Sequence, residues 1–164
     1  MEAFQKFMNE ANKSLHIADH LLYVTYPSIR EVSLLIKISE NIYIAMLLAI
    51  DALLSYDYAY KRISGFYPEG FSAKLDVFKA KSEQRYSIGR GYLITLLELR
   101  ELIEHHRKST IAFPRQDHYL MFSHNYSVMK GISYEKVQSY IQEAKPFIEK
   151  INRIIGNYDR LSGR

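Results

Sequence analysis

The chain has 164 residues, 48% of them hydrophobic, which suits one globular domain with a substantial core and leaves too little for a second. It has no cysteine, which excludes disulfides and thiolate metal sites and fits a reducing cytoplasm. Lysine and arginine exceed the acids by four and the pI is near 9.1, so a strongly charged partner is expected to be a polyanion.

The first predicted helix follows from Phe4, Met8, Ala11, Leu15, Ala18 and Leu22, which recur at three- and four-residue steps and stop before Pro27. Because Met1 to Asn12 is already amphipathic, no signal peptide is expected. A second helix is predicted from about Ser33 to Arg62. Its middle, Ile42 to Leu54, is apolar nearly all round, as in an element surrounded by others. The uninterrupted apolar run, Ile42 to Ile50, is short of the roughly 20 residues of a membrane span, so no membrane association is expected. Gly65, Pro68 and Gly70 break the chain. A shorter helix is predicted over Phe71 to Glu83, burying Leu75, Phe78 and Ala80.

After the turn at Ser87 to Gly91, the stripe Tyr92, Leu93, Leu96, Leu99, Ile103 predicts a fourth helix. Between Gln116 and Ile132 the period changes to alternation, with His124-Asn125 as the turn of a small β-hairpin. Ser133 is placed as the N-cap of a last helix striped by Val137, Tyr140, Ile141, Ala144, Ile148, Ile151 and Ile155, in which Pro146 is expected to introduce a kink. The expected fold is therefore all-α: one domain spanning 1–164, an antiparallel bundle of about five helices with a small β-hairpin before the last.

The chemistry-bearing candidates concentrate in the segment LELRELIEHHRKS and beyond it. Arg100 supplies a fixed cation and His105 or His106 a titratable imidazole, the groups RNA cleavage needs for the developing phosphorane and for proton transfer. At about 100° per residue, Arg100 and His105 lie on different sides of a straight helix and converge only through a bend or a second copy. Equally, Arg100 with Glu104 and Glu101 with His105 have the i,i+4 spacing of ordinary surface pairs. From His105 to Ile132, Arg107, Lys108, Arg115 and Lys130 face Asp117 alone, and His118 and His124 join the same stretch. Tyr119, Phe122 and Tyr126 are interleaved with these cations, a composition suited to stacking on unpaired bases while cations hold phosphates. It suits equally a solvated hairpin whose aromatics pack on the bundle.

Three other groups read as structural. His16 and His20 stand at i,i+4 but lack the further ligands of a metal site, so no metal and no cofactor are expected. Glu40 and Asp51 share a face of the central helix and need partners such as Lys37 or arginines of the fourth helix. Tyr56, Tyr58, Tyr60 and Tyr67, beside Lys61 and Arg62, form either an RNA-stacking edge or a seal on the end of the bundle.

Taken together, the helix order resembles the HEPN superfamily of small helical proteins, many of them ribonucleases of prokaryotic toxin-antitoxin and defence systems. EANKSLHIADHLLYV is similar to the family's first helix, SENIYIAMLLAIDALL to its alanine- and leucine-rich second, and SYEKVQSYIQEAKPFIEKI to its last. The family's signature is an arginine, four to six residues, then a histidine; Arg100 matches with His105 at four intervening residues and with His106 at five. Glu101 stands where the family often has a polar Asn, Asp or His. The resemblance implies that Arg100 contacts a scissile phosphate and one histidine moves a proton, in a cleft formed by a homodimer. Three functions remain open: a metal-independent endoribonuclease, a non-catalytic RNA- or ribosome-binding module, and a bundle that partners a nucleotidyltransferase-type antitoxin.

Overall fold

The computed structural model describes residues 1–109, 111–122 and 129–162. Five helical rods surround one core, with a small antiparallel sheet between the fourth rod and the last. The first rod joins α1 (Ala3–His20), a π-helical turn (Leu21–Thr25) and α2 (Tyr26–Ile29). It buries Phe4, Met8, Ala11, Ala18 and Leu22 of the predicted stripe, with Leu15 half-buried. The predicted end before Pro27 is corrected: the wide turn lets the Tyr26 N–H donate to the Leu21 carbonyl, and Pro27 falls in the first turn of α2, where a missing N–H costs little. The rod stops at Arg30, whose φ of 49° is left-handed.

The central rod, α3 (Leu34–Ala59), lies against the first, fourth and last rods. Leu35, Ile38, Ile42, Ala45, Met46, Ala49 and Leu53 are completely inaccessible, each large side chain stabilising the fold by about 1.5–3 kcal/mol relative to exposure. By length and composition this one helix could cross a membrane; 61% of its most apolar window is buried within the bundle. The third rod joins α4 (Phe71–Val77), a second π-helical turn (Phe78–Ser82) and α5 (Glu83–Arg85). Leu75 and Phe78 are buried as predicted, but Ala80 is exposed, since it projects far from the Leu75/Phe78 side, and Ser82 and Glu83 are buried instead.

The fourth rod, α6 (Gly91–Lys108), buries Tyr92, Leu96, Leu99 and Ile103. The predicted hairpin is one part of a three-stranded sheet: β1 (Ile111–Arg115), β2 (His118–Phe122) and β3 (Met129–Ser133), with β2 central and both pairings antiparallel. The expected turn at His124-Asn125 lies outside the described residues. Met121 and Ile132 on the inner face join the core. The last rod, α7 (Tyr134–Ser162), starts where the Ser133 hydroxyl accepts the Lys136 N–H, the predicted cap. It runs through Pro146 as one element and buries every residue of its predicted stripe.

Candidate nucleic-acid interface

Helical geometry decides which candidates meet. On α6, Arg100, Ile103, Glu104 and Arg107 follow the i, i+3, i+4, i+7 pattern of one face, and all four line a cleft of about 320 Å³. Tyr43, Leu47, Ile50 and Asp51 of α3 form its second wall, and Gly70, Phe71, Lys74 and Leu75 its third. The Arg100 guanidinium stacks on the Phe71 ring at 4.1 Å, and Tyr43 lines the same cleft from α3. Burial is the main cause raising the Tyr43 pKa, with the Arg100 charge opposing it, so Tyr43 stays a neutral phenol.

The other charges of the cleft are already paired. Lys74 meets Asp51 at 2.8 Å, and Arg107 meets Glu104 at 3.1 Å. Arg100 forms no ion pair among the described residues, so the cleft presents one exposed guanidinium with its carbon plane supported by an aromatic ring. Such a group recognises anions with planar oxygen geometry, carboxylate or phosphate. Lining cations outnumber carboxylates by three to two.

The histidines face elsewhere. His105 lies about 140° around the helix from Arg100, and its Nε2–H donates to the Met121 carbonyl at 3.1 Å, tying α6 to the middle of β2. That nitrogen is a structural donor in one copy of the chain, not a base poised at the cleft. His106, half-buried, has its ring 6.3 Å from that of Tyr119 under the sheet. The helix is unbroken from Gly91 to Lys108, so no bend brings Arg100 to either imidazole within one protomer.

The basic stretch divides in the same way. Arg107 turns into the cleft, Lys108 is exposed at the end of α6, and Arg115 and His118 face each other in register where β1 meets β2. Lys130 is held by Glu101 at 2.5 Å, which keeps the Glu101 carboxyl below its ordinary range. Glu101 therefore lies on a side of α6 away from the cleft and does not oppose an anion bound at Arg100. Tyr119 is half-buried against the core, while His124 and Tyr126 lie outside the described residues. The i,i+4 pairs read from the sequence are replaced by these longer-range and i,i+3 contacts.

Sequence reasoning missed the two most buried carboxylates. Asp57, fully inaccessible, accepts hydrogen bonds from Ser82 Oγ at 2.6 Å and Tyr86 OH at 2.5 Å, with Arg62 at 3.8 Å. Glu83 accepts from Arg90 Nε and Tyr92 OH, both at 2.6 Å. These clamps fix the third rod against α3 and α6 and so hold the cleft walls in place. Asp51 is satisfied by Lys74 and Tyr67 OH rather than by an arginine of α6, and Glu40 by Lys37 at 3.9 Å. The tyrosine group closes the bundle end: Tyr56 packs edge-on against Phe4 at 5.3 Å, Arg62 lies over Tyr56, and Tyr58 OH donates to the Phe66 carbonyl. Among the described residues no cluster of three His, Asp or Glu could hold a metal.

Comparison with protein-family models, with curated proteins and with solved structures finds no match for this chain.

Proposed function

We propose that this protein is a HEPN-like, RNA-associated helical bundle of the cytoplasm that acts as a homodimer, with the Arg100 cleft as its phosphate-recognition site. The observation carrying this reading is the Arg100 guanidinium, without an ion pair among the described residues and stacked on Phe71 in a cleft with a cationic balance. The non-catalytic form of the function is favoured for a single copy, because His105 is committed to the Met121 carbonyl and His106 to the underside of the sheet. Metal-independent cleavage would need a second protomer to bring an imidazole to Arg100.

The test is fluorescence anisotropy with single-stranded RNA, together with an RNA-cleavage assay in EDTA. Arg100→Ala is expected to weaken binding at every sequence tested. Wild-type and Arg100→Ala proteins with the same affinity would sink the assignment of the cleft. Cleavage abolished by both Arg100→Ala and the double change His105→Ala, His106→Ala would convert the reading to the catalytic one and require the dimer. A stoichiometric acidic protein partner and no nucleic acid in the purified complex would favour the antitoxin-partner reading over both.

A further inference from the structure

The outer face of the sheet is a second surface with its own chemistry. Alternation places Ile111, Phe113 and Arg115 of β1 on one side, with register partners Phe122, Leu120 and His118 on β2. The opposite side, carrying Met121, Tyr119 and Ile132, packs on the bundle. Ile111 is 38% and Phe113 40% exposed, although both are residues that strands normally bury. Phe113 and Phe122 lie nearly parallel, their centroids 5.6 Å apart and planes 16° from one another, so the two rings stack on one another as one aromatic unit. Beside Leu120 stands Gly131, where a Cβ would come within 3.1 Å of the leucine Cδ2. Its missing side chain makes room for Leu120, which is buried.

Charge adds a direction to this face. Arg115 follows Phe113 by two residues and therefore shares its side, and among the described residues it forms no ion pair. His118 sits opposite Arg115, and Asp117 is the one carboxylate between His105 and Phe122. An aromatic unit beside an unpaired guanidinium matches a nucleotide whose base is unstacked: the ring lies on the phenylalanines and the phosphate reaches the arginine. A duplex keeps its bases stacked inside and offers nothing to the aromatic unit.

We infer that the outer face of the β1-β2-β3 sheet, through Phe113, Phe122 and Arg115, binds unpaired bases of single-stranded RNA, as a site separate from the Arg100 cleft. This rests on the RNA reading above and adds to it a preference for unpaired over paired strands. The probe is a short single-stranded RNA carrying 4-thiouridine, used for ultraviolet crosslinking and for anisotropy, with a duplex of equal length beside it. Phe113→Ala is expected to lose about five- to 150-fold in affinity for the single strand, the range of one base-aromatic stack, while Phe113→Tyr keeps wild-type affinity. Crosslinks are expected on the β1 and β2 strands, and thermal melting checks that Phe113→Ala stays folded.

If Phe113→Ala binds the single strand as wild type does while Arg100→Ala does not, the sheet site is overturned and the RNA reading stands. If the wild-type protein binds neither probe, the RNA reading itself fails and the sheet site with it. Equal affinity for duplex and single strand, or a protein partner whose binding alone depends on Phe113, would also overturn the inference.

Discussion

Tyr86→Phe tests the clamp that positions the third rod. The substitution keeps the ring and its packing and removes one hydroxyl, which donates to Asp57 Oδ1 at 2.5 Å and accepts from Arg62 Nη1 at 2.6 Å. Burial, then the bond to Asp57, pushes the Tyr86 pKa well above the usual tyrosine range, so the hydroxyl is a donor at every working pH. Asp57 is wholly inaccessible, and no water replaces the lost donor without rearrangement. A hydrogen bond to a buried charge stabilises by about 1.5–3 kcal/mol, equivalent to a fall of roughly 3–12 °C in melting temperature for a domain of this size. The assay is thermal and urea denaturation of wild type, Tyr86→Phe and Tyr58→Phe. Tyr58 also loses one hydrogen bond, but to the exposed Phe66 carbonyl, where about 0.5–1.5 kcal/mol is expected. Equal losses in the two variants would refute the claim that Asp57 is a buried charge held by Tyr86.

The remaining predictions concern acid, core, cap and cleft. Burial raises the Glu83 pKa, but hydrogen bonds from Tyr92 and Arg90 outweigh it and set the folded value below the ordinary 4.5. The stability it contributes is therefore complete above pH 4.5 and disappears as pH falls through the folded value; urea midpoints across that window should drop in wild type and change less in Glu83→Gln. Leu53→Ala, at a position with no exposure, should cost about 2–5 kcal/mol by denaturant titration. Ser133→Ala removes the cap of α7 and should cost about 0.5–2 kcal/mol in the same measurement. In RNA titrations at several salt concentrations, Arg100→Ala should reduce the slope of log affinity against log salt by about 1; an unchanged slope would show that Arg100 meets no phosphate.

Much of the architecture was legible because it depends on period. The stripes beginning at Phe4, Tyr92 and Val137 each identified a rod and its buried face, and Ser133 marked the start of the last. The two π-helical turns were not legible, since a single widened turn leaves no compositional mark, and Pro27 read as an end when the wider turn made it a continuation. β1 was hidden by Pro114, which is tolerated because that strand lies at the edge of the sheet.

The candidate site divides along the same line. By itself the sequence determined that Arg100 and Glu104 have the spacing of neighbours on one helix and that His105 lies on another side, because the helical repeat is a local property. Which groups meet was decided only by tertiary structure: Phe71 and Tyr43 join Arg100 in one cleft from two other rods, Lys130 reaches Glu101 from the sheet, and Ser82 and Tyr86 reach Asp57 from the third rod. Those contacts depend on how rods pack, and packing is set by the whole core at once, so no local pattern in the chain encodes them.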